Sequence, residues 1–396
     1  MNVRKTLLTL HLKPRKHERI ANGHLWAFAG EIAESLKEFE PGEAVTLCEA
    51  RGAILGRGYV NPKSLIAVRL LTRGEEPWDD DLFKRRITAA YEYRQNMCRG
   101  WESYRLIHAE SDGLPGLVVD KFGDHLVLMS LTAGIESRLE EIVKALVEVV
   151  KPQSILLKGS SHFRSLEGLP QVDRQLLGET PDEILFKEND LIFAAHPHIG
   201  QKTGFFLDQR MNRSMMAGLV AGKSVLDLFC YTGTWGLLAL KQGAESALMV
   251  DSSQLAIDWT RVNAERNGLQ AKAEYLKSDV LDLLKEFSAT DRKFDVVILD
   301  PPALIPARSA LEKGSRLYKS LNIAAMKVLS PGGMLVTCSC SHLMDTNRHL
   351  ELIGRAAMDA GRRVRLALSG GAPPDHPVLP GHPETKYLKC WYLYCD

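Results

Sequence analysis

Two cysteines one residue apart, Cys338 and Cys340, lie in the run Thr337-Cys338-Ser339-Cys340-Ser341-His342, at the end of an apolar stretch. An ionised thiol is a strong nucleophile. It can add to carbon 6 of a pyrimidine, which turns the poorly nucleophilic carbon 5 into an enamine-like carbon able to attack an electrophile. Loss of the carbon-5 proton then expels the thiolate, a form of covalent catalysis. Side chains alternate along a strand, so both cysteines share one parity. Cys340 lies farther toward the carboxyl end and is taken as the nucleophile, with Cys338 as packing. The bland alternative is that both are small buried apolar side chains.

Such a thiol needs a crevice, and the sequence upstream supplies a series of strand ends that would border one. The first is Asp227-Leu228-Phe229-Cys230-Tyr231-Thr232-Gly233-Thr234-Trp235-Gly236, a tight turn into a helix with small residues where a ligand could meet the backbone. It is not the G-x-G-x-x-G of a dinucleotide binder. The second strand ends at Asp251, 24 residues after Asp227. A carboxylate there can accept both hydrogens of a ribose diol, or cap the helix that follows. Asp279, after the third strand, could accept from an adenine amine or act as a helix cap. The fourth strand ends in Asp300-Pro301-Pro302. Two prolines make the loop rigid and extended, suited to holding a flat base.

These ends require a parallel sheet. From about Thr203 onward strands alternate with helices: Ser224–Leu228, Ala247–Asp251, Ala273–Lys277, Asp295–Leu299, Met334–Cys338, Val364–Leu368 and Tyr387–Tyr394. The alternation implies a sheet covered on both faces. The last strand follows a long Pro- and Gly-rich loop, which suggests a closing antiparallel strand at the edge. Before it, residues 75–200 read as α+β. A helix is expected over Asp79–Arg99, a hairpin over Leu117–Leu131, a helix over Ile135–Val150, a strand at Ser154–Lys158 and a hairpin over Glu183–Ala195. Residues 1–74 read as short strands, at Glu43–Glu49, Ala53–Tyr59 and Leu65–Leu71, consistent with a small β-barrel. The fold class is therefore multidomain α/β: a barrel (1–74), an α+β middle domain (75–200) and a Rossmann-like sheet (201–396).

With 396 residues, 45% hydrophobic and 25% charged, the chain has the composition of a soluble globular protein. No apolar run reaches bilayer-spanning length. The patch Leu7-Leu8-Thr9-Leu10 lacks the long core and cleavage site of a signal peptide. Seven scattered cysteines suggest reduced thiols and a cytoplasmic setting rather than a disulfide framework. No Cys/His spacing suggests a structural metal. Net charge is only +1, but Arg4, Lys5, Lys13, Arg15, Lys16 and Arg19 face the single acid Glu18 within the first 20 residues. That patch could meet phosphates or be a solvated arm. In Lys202-Thr203-Gly204-Phe205-Phe206-Leu207-Asp208-Gln209-Arg210, Lys202 and Arg210 could also meet phosphates. One of Phe205 and Phe206 could stack on a base while the other packs, and Asp208-Gln209 could orient a cofactor.

The four strand ends, in this order, resemble the class I S-adenosylmethionine-dependent methyltransferase fold. More narrowly, the chain is similar to the RlmI-type bacterial large-subunit ribosomal RNA cytosine-C5 methyltransferases. The likeness rests on His24-Leu25-Trp26-Ala27-Phe28-Ala29-Gly30, Glu110-Ser111-Asp112-Gly113-Leu114-Pro115-Gly116, the Lys202–Arg210 segment, Asp300-Pro301-Pro302 and Ser339-Cys340-Ser341-His342-Leu343-Met344. The resemblance implies an N-terminal PUA domain that binds RNA, and a homodimer with no membrane association. It implies a nucleophile at Cys340, with Asp300 beside it, and S-adenosylmethionine contacts at Asp227, Phe229, Tyr231, Thr232, Gly233, Asp251, Asp279, Asp300 and Pro301. The family usually has a lysine after the double proline; here it is Ala303, so that role would be lost or pass to Lys313 or Lys319. Many cytosine-C5 RNA methyltransferases also have a second cysteine after the fourth-strand proline, and this chain has none. Three readings stay open beside it: uracil-C5 methylation, methylation of a purine nitrogen, and a non-catalytic RNA-binding assembly factor.

Overall fold

The computed structural model describes residues 7–396, so Arg4 and Lys5 of the basic patch lie outside the described residues. The chain forms two compact units. The first comprises residues 1–186, 194–207 and 374–385; the second comprises 187–193, 208–373 and 386–396.

In the first unit, β1 (Leu8–His11), β2 (Trp26–Phe28), β3 (Glu43–Cys48), β4 (Ile54–Val60) and β5 (Ile66–Leu70) form one sheet in the order β1-β3-β4-β5-β2. A bridge between Leu12 and Ile32 joins the continuations of its two edge strands, curling the sheet into a barrel. Leu10, Leu12, Ala27, Val45, Leu47, Val60, Val68 and Leu70 fill its core. The glycines of β4 permit this closeness: a Cβ on Gly58 would lie 2.0 Å from the Arg69 carbonyl oxygen. The sequence reading found β3 to β5 but missed β1 and β2, which are only four and three residues long.

A second sheet of this unit has the order β10-β9-β8-β7-β6, built from β6 (Ser103–His108), β7 (Leu117–Phe122), β8 (His125–Ser130), β9 (Ser154–Leu157) and β10 (Arg174–Leu177). β7 and β8 are the expected hairpin. Helices Leu82–Met97 and Leu139–Val150 pack apolar side chains into a core with Leu106, Val119, Leu128 and Ile155. The helix expected from Ile135 is broken: Thr132 caps a short helix Ala133–Glu136, and a second begins at Leu139. β11 (Ile184–Glu188) and β12 (Leu191–Ala195) form a two-stranded hairpin.

The second unit is a seven-stranded sheet of β13 (Ser224–Leu228), β14 (Ser246–Asp251), β15 (Ala273–Lys277), β16 (Phe294–Leu299), β17 (Leu329–Ser339), β18 (Val364–Gly370) and β19 (Lys389–Cys395). Its order is β15-β14-β13-β16-β17-β19-β18. The first five are parallel, and β19 runs antiparallel to both neighbours. This corrects one expectation: β19 is inserted between β17 and β18, and β18 is the edge. The burial explains it. β19 is buried at six of its seven positions, Trp391 and Tyr392 among them, whereas β18 exposes residues 365–369. The strand order reverses at β13, so the crevice beyond its carboxyl end is where a ligand is expected.

Candidate active site

The turn after β13 is held in an unusual backbone shape. Phe229 (φ 63°) and Tyr231 (φ 49°), both non-glycine, adopt left-handed conformations, as does Gly233 (φ 75°). Bulky residues rarely adopt this conformation, and such outliers concentrate at ligand clamps. Side chains of the helix Gln254–Arg266 secure it. Thr260 donates its hydroxyl to the Tyr231 carbonyl at 2.9 Å, and the Asn263 amide donates to the Thr232 carbonyl at 3.1 Å. Neither was legible as a site residue in the sequence. The Tyr231 N–H donates to one Asp251 oxygen at 3.1 Å and the Ser253 N–H to the other at 2.9 Å. A carboxylate has about four acceptor sites, so Asp251 keeps capacity for a diol.

Asp227 is fully buried, and its Oδ2 accepts from the Gly236 N–H at 2.9 Å. Its Oδ1 has no partner, nor has the buried Thr232 hydroxyl. Buried polar atoms left unpaired are uncommon and call for an occupant. Burial, with Asp300 and Asp251 nearby, pushes the Asp227 carboxyl up to about 8. Asp279 caps the helix Val280–Ala289, its Oδ1 accepting from the N–H groups of Leu281 and Asp282. Its Oδ2 stays open. The turn, the Asp251 carboxylate and the two unpaired buried oxygens suit a ligand carrying a ribose and hydrogen-bond donors.

Across the crevice, Asp300 is held at both oxygens. Gln209 donates to Oδ1 at 2.9 Å and the Trp235 indole donates to Oδ2 at 3.0 Å. The Gln209 carbonyl in turn accepts from Asn212 at 2.6 Å, which fixes the amide's orientation. Burial raises the Asp300 carboxyl to about 6. Trp235 was not singled out from the sequence, nor was Tyr387, whose hydroxyl donates to Asp208 at 2.7 Å.

The loop after β17 closes the site. Cys340 Sγ lies 4.0 Å from the Pro301 carbonyl, so the thiol and the Asp-Pro-Pro loop come together. The serines flanking it are anchored to one hydroxyl: Ser339 donates to Tyr318 Oη at 3.1 Å, and Tyr318 Oη and Ser341 Oγ are also 3.1 Å apart. Cys340 is half-buried, while the other six cysteines are buried. Cys338 is fully enclosed beside its register partner Cys390, and burial pushes its thiol far up.

Of the residues read as phosphate contacts, Lys13, Arg15, Lys16 and Lys202 are exposed. Arg210 is not: it is 4% exposed, and its Nε donates to Glu188 at 3.0 Å. Arg213 donates to the other Glu188 oxygen at 2.8 Å, making a buried triad. This corrects the reading of Arg210, which spends its charge inside the second unit. Phe205 packs edge-on against Phe186, and the half-buried Phe206 lies under the Lys202 ammonium, 4.7 Å from the ring centroid. Lys319, considered as a substitute for the family's lysine, pairs with Asp359 at 2.7 Å, whereas Lys313 is exposed.

The fold also gathers His24, His382 and Glu384, with ligand-type atoms within 4.8 Å of one another. The Trp26 N–H donates to His24 Nδ1 at 3.1 Å and the Leu25 N–H to His382 Nδ1 at 3.4 Å. Those bonds place each neutral ring's proton on Nε2. His24 Nε2 then donates to Glu384 at 3.2 Å, while His382 Nε2 lies 3.8 Å from the same oxygen without a hydrogen-bond partner among the described residues. A metal would have to displace both ring protons.

Known proteins resemble this chain both in segments and over its whole length. Residues 10–73 match the family described as PUA-like domain, and residues 210–355 match Conserved hypothetical protein 95. A ribosomal RNA large subunit methyltransferase I from Pseudoalteromonas atlantica is 37% identical over 96% of this chain and 97% of its own length. Another of that name, from Shewanella denitrificans, is 40% identical over 96% of this chain and 98% of its own. A candidate SAM-dependent methyltransferase structure from Streptococcus mutans superimposes with a TM-score of 0.85, covering 98% of this chain and all of that one, at 21% identity. A further methyltransferase-like structure, solved with SAH, gives 0.86 at 21% identity with the same coverage. At that identity the two structures speak for the fold.

Proposed function

The chain belongs to the ribosomal RNA large subunit methyltransferase I family, and from that premise we propose that it methylates carbon 5 of a cytosine in large-subunit ribosomal RNA through a Cys340 adduct. The methyl donor is S-adenosylmethionine, which supplies an electrophilic methyl group on a sulfonium. The observation that carries the reading is the placement of the one cysteine that is not buried against the Pro301 carbonyl, beside Asp300.

Each residue's part follows from its surroundings. The turn of Asp227, Phe229, Tyr231, Thr232 and Gly233 receives the amino acid part of the cofactor. Asp251 accepts from the ribose diol, and the free oxygen of Asp279 accepts from the adenine amine. Gln209 and Trp235 keep Asp300 aimed at the target base, with Pro301 as a rigid wall. With its carboxyl raised to about 6, Asp300 is partly protonated near neutrality and can share a proton with the ring nitrogen N3. This draws electrons from carbon 6 as the Cys340 thiolate attacks. The S–C6 bond forms, the displaced electron pair makes carbon 5 nucleophilic, and carbon 5 takes the methyl group as its bond to the sulfonium breaks and leaves a neutral thioether. Transfer of the carbon-5 proton to a base and cleavage of the S–C6 bond then return the thiolate. Lys13, Arg15, Lys16 and Lys202 meet RNA phosphates. The same reading takes 1–74, 75–200 and 201–396 as RNA-binding, middle and catalytic modules of a cytoplasmic homodimer.

The test incubates the protein and its Cys340→Ala variant with methyl-labelled S-adenosylmethionine and unmodified large-subunit RNA, then identifies the nucleoside by mass. 5-Methylcytidine should form with the wild type and fall by roughly 10³-fold or more in the variant. Methylation surviving in Cys340→Ala would sink the adduct and favour a purine nitrogen as the target. 5-Methyluridine would move the target to uracil.

A further inference from the structure

Lys389 opens β19 and is 3% exposed. Its ammonium donates to the carbonyls of Ser341 and Tyr387, each at 2.7 Å. No carboxylate pairs with it among the described residues, and its third hydrogen has no acceptor. A buried cation is costly to desolvate and is normally paired with an anion. The register aligns Lys389 with Ser339, and its ammonium reaches the carbonyl of Ser341, the residue directly after Cys340.

We propose that Lys389 is the positioning residue that holds Cys340 as a thiolate, its missing counter-ion being the ionised sulfur. The inference rests on the assignment of Cys340 as nucleophile and adds what ionises it. An opposite charge within about 4–6 Å favours the charged form of a thiol. The two carbonyl bonds fix the ammonium in place, and burial lowers it to about 8, with Cys340 the strongest influence opposing that shift. It therefore stays largely protonated at pH 7. Asp345 and Lys386 also act on Lys389, His349 feels Lys389, and Tyr318 feels Cys340. Burial holds His349 neutral, down to about 3, so it does not titrate alongside the pair.

The experiment is the pH profile of Cys340 alkylation by iodoacetamide, followed by peptide mass on the full chain without RNA or cofactor. The other six cysteines are buried, so Cys340 reacts first. Wild-type alkylation should have its midpoint below the ordinary thiol range of about 8.5. In Lys389→Met the rate at pH 7 should fall roughly 10- to 1,000-fold, while Lys389→Arg restores most of it. A wild-type midpoint at or above the ordinary range overturns the proposal without any variant, which covers the case in which Lys389→Met does not fold. So does a folded Lys389→Met whose profile superimposes on the wild type. Because the assay needs no methyl transfer, it separates the two readings. Persisting methylation in Cys340→Ala removes the adduct, whereas an unchanged alkylation profile removes only the role of Lys389.

Discussion

Glu188→Ala should unfold the second unit far more readily than a single substitution usually does, and the triad sets the size of the effect. The Glu188 side chain is 1% exposed and faces Arg210 and Arg213, whose side chains are 4% and 2% exposed. Removing the carboxylate takes away the counter-charge that two buried guanidinium groups share. Breaking one buried pair costs about 3–5 kcal/mol, so at least about 4 kcal/mol is expected here, against a typical total of about 5–15 kcal/mol. Arg210→Ala leaves Glu188 paired with Arg213 and should cost less, about 2–3 kcal/mol. Hydrogen exchange in peptides from β13, β16 and β17 reads these losses where they arise. The same variants decide what Arg210 does. A residue bound to an RNA phosphate contributes roughly 0.7–0.9 to the slope of log affinity against log salt. Arg210→Ala should leave that slope unchanged for folded protein, whereas Lys202→Ala should lower it by about that amount. Full protection in Glu188→Ala, or a reduced slope in a fully stable Arg210→Ala, would refute the reasoning.

Two further outcomes follow from the cofactor wall. Asp227 holds a proton more tightly when folded, at about 8 against an ordinary value of 3.8. Its stabilisation is fully present below about pH 4 and is lost as pH rises through about 8. Asp227→Asn should remove this dependence and gain roughly 3–5 kcal/mol over the wild type between pH 4 and 9; parallel Tm-versus-pH curves for the two would contradict it. Asp251→Asn should weaken S-adenosylmethionine binding by roughly 10-fold or more in calorimetry, since one charged acceptor of the diol is lost. Unchanged affinity would remove Asp251 from the ribose site.

Much of the site was readable because its residues sit at strand ends. Asp227, Asp251, Asp279 and Asp300 each follow an apolar run whose period betrays a strand, and a parallel sheet gathers its carboxyl ends on one side. The cysteines were readable for the same reason. Thr260, Asn263, Trp235 and Tyr318 were not. They lie inside helices, where the same residue types serve as ordinary packing, and only the neighbouring turn gives them a task. Arg210 misled because a basic residue beside aromatics reads as a phosphate contact until its partner is known. That partner, Glu188, lies 22 positions earlier in a hairpin.

From the sequence alone came the alternation of strands and helices, the barrel strands long enough to show a pattern, and the chemistry placed at each strand end. These depend on local periodicity and on residue type. Tertiary structure alone decided that β19 enters between β17 and β18, that Glu188 pairs with two arginines, and that Lys389 lies beside the cysteine loop. Each depends on which distant segments share a buried volume, and burial and charge compensation belong to the packed chain, not to any window of its sequence.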